Sequence, residues 1–384
     1  MDSLFFKEEH KMIQKMVCDF AKDEIIPKAK ELDKNEIFPK KIVKKMGQLG
    51  LMGMNVPSKY GGSALDTIAY VTAIIELAKA DASVAITMAS HTSLGTLPLL
   101  LFADERLKNK YLPKIASGEI LSALGLTEPH AGSDTESIKT TATKVGKKYI
   151  VNGGKIFITN AGEAGLLSFT SRVVDGGNDR GIGVFIVPTD VKGLRIEEKE
   201  NKMGWKASDT RQVYFENMEV DSSDMLYSPK NGINKFLKGL TLGRISIGAL
   251  SVGTATAAYQ KAMVYSKNRI AFNKPINHFQ SNSFKLADMA IKIEASGLLV
   301  YHAAWLKDKG ENFIKEAAMA KLYASEAAME ITREAIQLHG GYGYVHEYDV
   351  ERFFRDAKIL EIVEGTSEMQ RLTISREIIK DKMI

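Results

Sequence analysis

A chain of 384 residues, 45% hydrophobic and 26% charged, has ordinary globular composition and enough length for two or three packed units. Its 52 Lys and Arg against 47 Asp and Glu give a net charge of +5, dispersed over Lys–Glu helix faces, which argues against nucleic-acid binding. The single cysteine, Cys18, excludes an intramolecular disulfide and a cysteine-based metal cluster. No apolar run reads as membrane-spanning and the first ten residues are charged and helix-like, so the expectation is a soluble, cytoplasmic protein without membrane insertion.

Residues 3 to about 34 read as an amphipathic helix, with Met12, Ile13, Met16, Val17, Phe20 and Ala21 at helical spacing and Cys18 as a filler of the apolar face. Pro27 should kink or restart it. A helix over Lys40–Gln48 ends at Gly50, and a loop rich in breakers covers 56–63. Asp66–Lys79 is helical, Ala82–Phe102 reads as a buried apolar helix broken near Pro98, and a charged helix from Asp104 closes at Gly118.

Near residue 119 the period changes. Leu121–Leu126, Tyr149–Val151, Ile156–Thr159, Leu167–Val174, Gly183–Val187 and Gln212–Phe215 are short runs enriched in β-branched and aromatic residues, and Asn152-Gly153 carries a hairpin signal. From Ile233 the helical period returns over 233–268, 279–307, 313–338, 349–355 and 367–380, four of these runs being long enough to pack as a bundle. The fold class is α+β: an N-terminal all-α domain over 1–118, a central antiparallel β domain over 119–230 and a C-terminal four-helix bundle over 231–384.

Five stretches carry chemistry. Leu126-Thr-Glu-Pro-His-Ala-Gly-Ser-Asp134 follows a strand, and Gly132 with the Thr127 and Ser133 hydroxyls suits a flat ring or a phosphate as well as it suits a polar turn. Phe157-Ile-Thr-Asn160 places an aromatic beside a hydroxyl, which fits a planar cofactor or plain core packing. Arg244 lies in an apolar helix and needs an anionic partner, a phosphate or a structural carboxylate; Arg269 lies at a helix end, where a solvated charge is the plain alternative. Gln337-Leu-His-Gly-Gly-Tyr-Gly-Tyr344 is a helix end dissolving into glycines, suited to close backbone contact with a ligand. It is neither a dinucleotide fingerprint nor a P-loop, and His339 and His346 lack the spacing of a metal site, so no metal is expected. In Ile359-Leu-Glu-Ile-Val-Glu-Gly-Thr-Ser-Glu-Met-Gln370, Gly365 breaks the helix and leaves Glu364 at a turn between apolar flanks. A carboxylate held there is partly desolvated and drifts upward toward general-base range, unless the loop is exposed and the glutamate ordinary.

Taken together with Lys202-Met-Gly-Trp-Lys-Ala-Ser-Asp-Thr-Arg211, these stretches resemble the acyl-CoA dehydrogenase family of flavoproteins, in the right order and over nearly the whole chain. The resemblance implies non-covalent FAD between the β domain and the bundle of a homotetramer, a dimer of dimers. It implies that Leu124, Leu126, Thr127, Gly132 and Ser133, with Phe157, Ile158 and Thr159, line the flavin of the same subunit, Thr159 facing N5. Arg269, Phe272 and Gln280, with Gln337, Leu338, His339, Gly340 and Gly341, correspond to contacts with a neighbouring subunit's FAD, and Thr366, Ser367 and Glu368 to contacts with the adenosine part. Ser133, Thr241, Leu242, Gly243, Arg244 and Gly365 match positions that contact acyl-CoA.

The implied reaction is α,β-desaturation of an acyl-CoA to a trans-2-enoyl-CoA. Glu364 removes the α-proton, the β-hydrogen leaves as hydride to the flavin, and electrons pass to an electron-transferring flavoprotein. Some family members carry the base at the position of Gly243, which cannot serve here, so Glu364 is the candidate. Phe157 stands where tryptophan is common, Thr241 where aspartate is common, and Val363 where tyrosine or phenylalanine is usual. A short- to medium-chain, mainly straight-chain substrate is expected. The competing readings are an acyl-CoA oxidase or flavin monooxygenase on the same fold, and a non-enzymatic DNA-associated relative.

Overall fold

The computed structural model describes residues 5–380, so the expected helix start at residue 3 lies outside the described residues. The first part of the chain is helical: α1 (Glu8–Phe20), α2 (Ile26–Asn35), α3 (Lys40–Gln48), α4 (Thr67–Ala80), α5 (Ala82–Ser90), α6 (Leu97–Phe102) and α7 (Glu105–Ala116). Asp66, Asp81 and Asp104 start α4, α5 and α7 by accepting from the N–H groups of Ala69, Val84 and Leu107, each at 2.9 Å. Nearly every residue of α4 is buried, because it runs through the molecule rather than along its surface.

Wide turns interrupt two helical runs. At Ala21–Ile25 the chain changes from α1 to α2, with Pro27 in the first turn of α2, where its missing N–H costs no bond. At His91–Thr96 a second wide turn, not Pro98 itself, divides the apolar run, and it presses Gly95 against the backbone of Ser122 where no Cβ would fit. The stretch Ala82–Phe102 is in fact long and apolar enough to cross a membrane, which corrects the sequence reading, but 78% of its most apolar window is inside the protein, as in a core helix. Cys18 is also corrected. It is exposed, since it lies about 100° round α1 from the buried Val17.

Eight strands follow: β1 (Leu121–Gly125), β2 (Thr141–Val145), β3 (Lys148–Thr159), β4 (Ala164–Asp175), β5 (Asn178–Pro188), β6 (Leu194–Lys199), β7 (Thr210–Asp221) and β8 (Met225–Tyr227). They form one sheet in the order β6-β7-β3-β2-β4-β5-β8, with β1 on β4. The sheet is antiparallel except that β1 and β2 both run parallel to β4. The hairpin expected at Asn152-Gly153 does not exist. The chain continues straight through as one strand, Gly153 taking φ 138° at a register shift against β7, while the Asn152 amide pairs with Asn217. Phe169, Phe185 and Phe215 pack in the sheet's core.

The remainder is helical: α8 (Ile233–Gly239), α9 (Leu242–Asn268), α10 (Gln280–Asp308), α11 (Ile314–His339), α12 (Val350–Lys358) and α13 (Ser367–Lys380). The single helix expected over 233–268 is split at Leu240–Thr241. Helix α11 packs against α9, α10 and α13, and α4 packs against α9, so the first and last parts share one core. The sheet is tied in through α12. Asp356 accepts from the N–H of Trp205 at 2.6 Å and a Cβ on Gly204 would lie 2.5 Å from the Arg355 carbonyl, while Arg352 ties the same helix to Asp81 at the start of α5 at 3.1 Å. The glycine of Lys-Met-Gly-Trp is therefore what lets β-domain and helix backbones touch.

Candidate active site

Between α12 and α13 the chain makes a short 3-10 turn, Ile359–Glu361, and then turns sharply with Glu364 at φ 53° and Gly365 at φ 94°. A left-handed glutamate is strained backbone, and the strain is held by its neighbours. The Gln370 side-chain amide donates to the Gly365 carbonyl at 2.7 Å and to the Glu364 carbonyl at 3.2 Å. Thr366 accepts from the N–H of Met369 at 3.4 Å and so caps the start of α13. Gln370, fully buried, is the lock that sequence reading missed.

Glu364 as a residue keeps some solvent contact, but its carboxylate is enclosed, and Oε1 has no hydrogen-bond partner among the described residues. Burial lifts its pKa to about 7, and the positive charges of Lys321 on α11 and Arg244 on α9 hold it from rising further. Gly243 lies against it so closely that a Cβ there would overlap Oε2. Arg244 is half-buried and makes no ion pair among the described residues; burial pulls its pKa down, and Glu364 is the carboxylate that acts on it. Glu364 is thus one carboxylate whose charge reaches Arg244. Tyr70 on α4 closes the same side: fully buried, it lies 3.1 Å from the Ser246 hydroxyl, and burial raises its pKa with a further push from Glu364.

The sheet brings two more predicted stretches together. Ile156 N–H donates to the Thr127 carbonyl at 2.9 Å, setting Phe157–Thr159 beside Leu126–Ser133. Phe157, at φ 57° on a bulge, turns its ring outward and is 62% exposed, while Ile158 is buried and Thr159 half-buried. Leu124 is buried, Leu126 and Thr127 half-buried, and Gly132 and Ser133 exposed, with open space at Gly132. Beneath them Lys155 is buried and bonds Glu128 (2.7 Å), Thr170 (3.0 Å) and the Leu126 carbonyl (3.2 Å). Sequence reading passed over this pair, whose signal was a lysine at a strand position otherwise apolar.

Arg269, Gln337, Leu338, His339, Gly340 and Gly341 line a cavity of about 830 Å³ together with Tyr265 and Tyr342. Nothing would meet a Cβ at Gly340 or Gly341, so the backbone there is bare toward the cavity. Arg269 sits 5.7 Å over the Tyr342 ring, and His339 stacks on Tyr265 at 4.3 Å. Phe272, 89% exposed, tips a small hairpin and meets the ring of Phe279, the residue before Gln280, at 6.0 Å. This cavity and Glu364 are not brought together within one chain. Arg244 and Arg269 stand at opposite ends of α9, which at 1.5 Å per residue separates them by roughly 37 Å. Thr241, Leu242 and Gly365 lie on the Glu364 side, as do Thr366 just before α13 and Ser367 and Glu368 in its first turn.

Three family models match in order: the N-terminal domain over residues 7–119, the middle domain over 123–218 and the C-terminal domain over 230–379 of acyl-CoA dehydrogenase. The chain belongs to the acyl-CoA dehydrogenase family. It is 46% identical to an acyl-CoA dehydrogenase of Bacillus subtilis over 97% of this chain and 98% of that one. Butyryl-CoA dehydrogenase from Megasphaera elsdenii superposes with a TM-score of 0.94 at 40% identity, covering 98% and 99% of the two chains. A chain from the structure described as "Electron transferring flavoprotein of Acidaminococcus fermentans: Towards a mechanism of flavin-based electron bifurcation" superposes at 0.95 with 41% identity, covering 98% and 100%. The α–β–α layout is therefore the acyl-CoA dehydrogenase fold, and the enzyme is an FAD-dependent oxidoreductase.

Proposed function

We propose that this acyl-CoA dehydrogenase desaturates a short- to medium-chain, mainly straight-chain acyl-CoA to the trans-2-enoyl-CoA, with Glu364 as the base. The carrying observation is the Glu364 carboxylate itself: enclosed, unpartnered at Oε1, poised to about 7 and set beside Gly243, where no side chain competes for the space. A base whose pKa lies near neutral is half ionised at working pH and still basic enough to take a proton. The N–H of Glu364 donates no hydrogen bond among the described residues, which leaves it free for the thioester carbonyl. Polarising that carbonyl acidifies the α-carbon, and the carboxylate of the same residue is placed to receive the proton. Ser133, Thr241, Leu242, Arg244 and Gly365 are the remaining candidates for acyl-CoA contacts.

FAD supplies the hydride acceptor when bound. The residues fit it in two groups. Leu126, Thr127, Gly132 and Ser133 with Phe157 and Thr159 offer an exposed ring, hydroxyls and a bare loop on one subunit. Arg269 and the glycines of the 830 Å³ cavity offer a cation and open backbone. That cavity lies roughly 37 Å along α9 from the neighbourhood of Glu364, and the proposed occupant of the second group is a neighbouring subunit's cofactor, as the family resemblance implies for a homotetramer. Electron-transferring flavoprotein is the proposed electron acceptor, supported by the likeness to the Acidaminococcus fermentans chain.

The short-chain reading is supported by the likeness to butyryl-CoA dehydrogenase and by Gly243. Anaerobic bleaching of the flavin by a panel of acyl-CoA thioesters tests it. Butyryl- to octanoyl-CoA should give the highest kcat/KM. A large preference for a long-chain or branched thioester would refute the substrate assignment, and no bleaching by any of them the whole reading.

A further inference from the structure

Lys321 lies in the middle of α11, a helix otherwise packed through small residues, among them Ala317, Ala318, Ala324, Ser325 and Ala328. It is fully buried, and its ammonium has no hydrogen-bond partner and no ion pair among the described residues. A lysine in that position is costly, and nothing in the packing of the helices needs its charge. The charges that act on it are those of Glu364 first, then Glu361 and Glu326, with Arg244 opposing. Glu364 in turn is faced by Lys321 from α11, by Arg244 from α9 and by Tyr70 from α4. Both groups present a buried polar atom without a hydrogen-bond partner among the described residues, and α11 packs against the 3-10 turn Ile359–Glu361 that precedes Glu364 and against α13 that follows it.

We propose that Lys321 is a positioning residue for proton abstraction, its buried ammonium holding Glu364 in the carboxylate form that the reaction requires. The inference rests on Glu364 being the base. Burial pulls Lys321 down to about 8, so it stays cationic at neutral pH, while burial alone would keep Glu364 protonated there. Arg244 cannot replace it fully, because it stands partly in solvent and is available to the substrate.

The test uses FAD-loaded wild type, Lys321→Met and Lys321→Arg. Anaerobic flavin reduction by butyryl-CoA is followed against pH, and the carboxyl stretch of Glu364 is titrated by infrared difference spectroscopy against Glu364→Gln, with no substrate present. In Lys321→Met both midpoints should rise by about one pH unit or more, roughly tenfold less carboxylate at a given acidic pH, while the plateau rate at high pH is retained. Lys321→Arg, whose charge does not titrate, should keep the wild-type midpoint or lower it. An unmoved midpoint in Lys321→Met, or equal losses in the two variants, would overturn the proposal. Lys321→Gln is read the same way if the methionine variant yields no folded enzyme. Failure of both to fold would also contradict it, because it would make the lysine structural. The two readouts separate the failures: a shifted infrared midpoint without wild-type bleaching sinks the function, and bleaching without a shift sinks only the role of Lys321.

Discussion

Gly243 lies in the first turn of α9 and Glu364 in the turn between α12 and α13, yet they occupy adjoining space: a Cβ on the glycine would overlap the glutamate's Oε2. A side chain at position 243 would enter the space that the Glu364 carboxylate fills, so only one of the two positions can hold a carboxylate there. The contact also makes the glycine a determinant of where the Glu364 carboxylate rests.

Gly243→Ala should therefore displace Glu364 while leaving the helix intact, since alanine is the better helix former. A displacement of about 1 Å at a reacting group costs on the order of 10²-fold in rate. Stopped-flow flavin reduction should fall by that factor with FAD content unchanged. A wild-type rate would mean that the carboxylate can shift at no cost and that the close fit is not used.

The raised pKa of Glu364 makes a stability prediction with a definite sign. The folded protein binds this proton more tightly than the unfolded chain, so stability is fully present below about 4.5 and is lost as pH rises through about 7. Glu364→Gln cannot ionise and escapes that loss. At pH 8 the glutamine variant should be the more stable by up to roughly 3 kcal/mol, and the difference should shrink toward pH 5. Asp356, also lifted to about 7 by burial, acts in the same sense but is common to both proteins. Urea unfolding at the two pH values measures it, and a difference independent of pH would show that Glu364 is ordinarily acidic.

Arg269→Ala should weaken FAD retention and subunit association together. Its guanidinium stands at the cavity that holds Gly340 and Gly341, over the Tyr342 ring, with no carboxylate bonded to it among the described residues. A charge-assisted contact to a phosphate is the interaction lost. Size exclusion with flavin absorbance checks this. An unchanged assembly with full FAD would leave Arg269 a surface charge.

The helical thirds and the sheet between them were legible because hydrophobic period and turn residues agree along most of the chain. Glu364 was legible too, because a glycine next to it breaks a helix between apolar flanks, and its neighbours in the fold produce the desolvation that this position suggested. What escaped depends on packing between distant segments. Lys321 is one more lysine in an Ala-rich helix until α9, α10 and α13 cover it, and Gln370 is an ordinary helical glutamine until it reaches back to the Glu364 turn. Asn152-Gly153 misled because a strong local turn signal was overridden by pairing on both sides of β3, which absorbed the glycine as a bulge.

The most direct test of the central claim is stopped-flow anaerobic flavin reduction in Glu364→Gln, paired with titration by a CoA ligand that cannot reduce the flavin. Glutamine keeps the shape of the side chain and the backbone N–H but cannot accept the α-proton. Ligand binding should survive while reduction falls by at least about 10²–10⁴-fold, the contribution of a general base. Near-normal reduction with a folded, FAD-loaded variant would show that another group takes the proton and would contradict the assignment of Glu364.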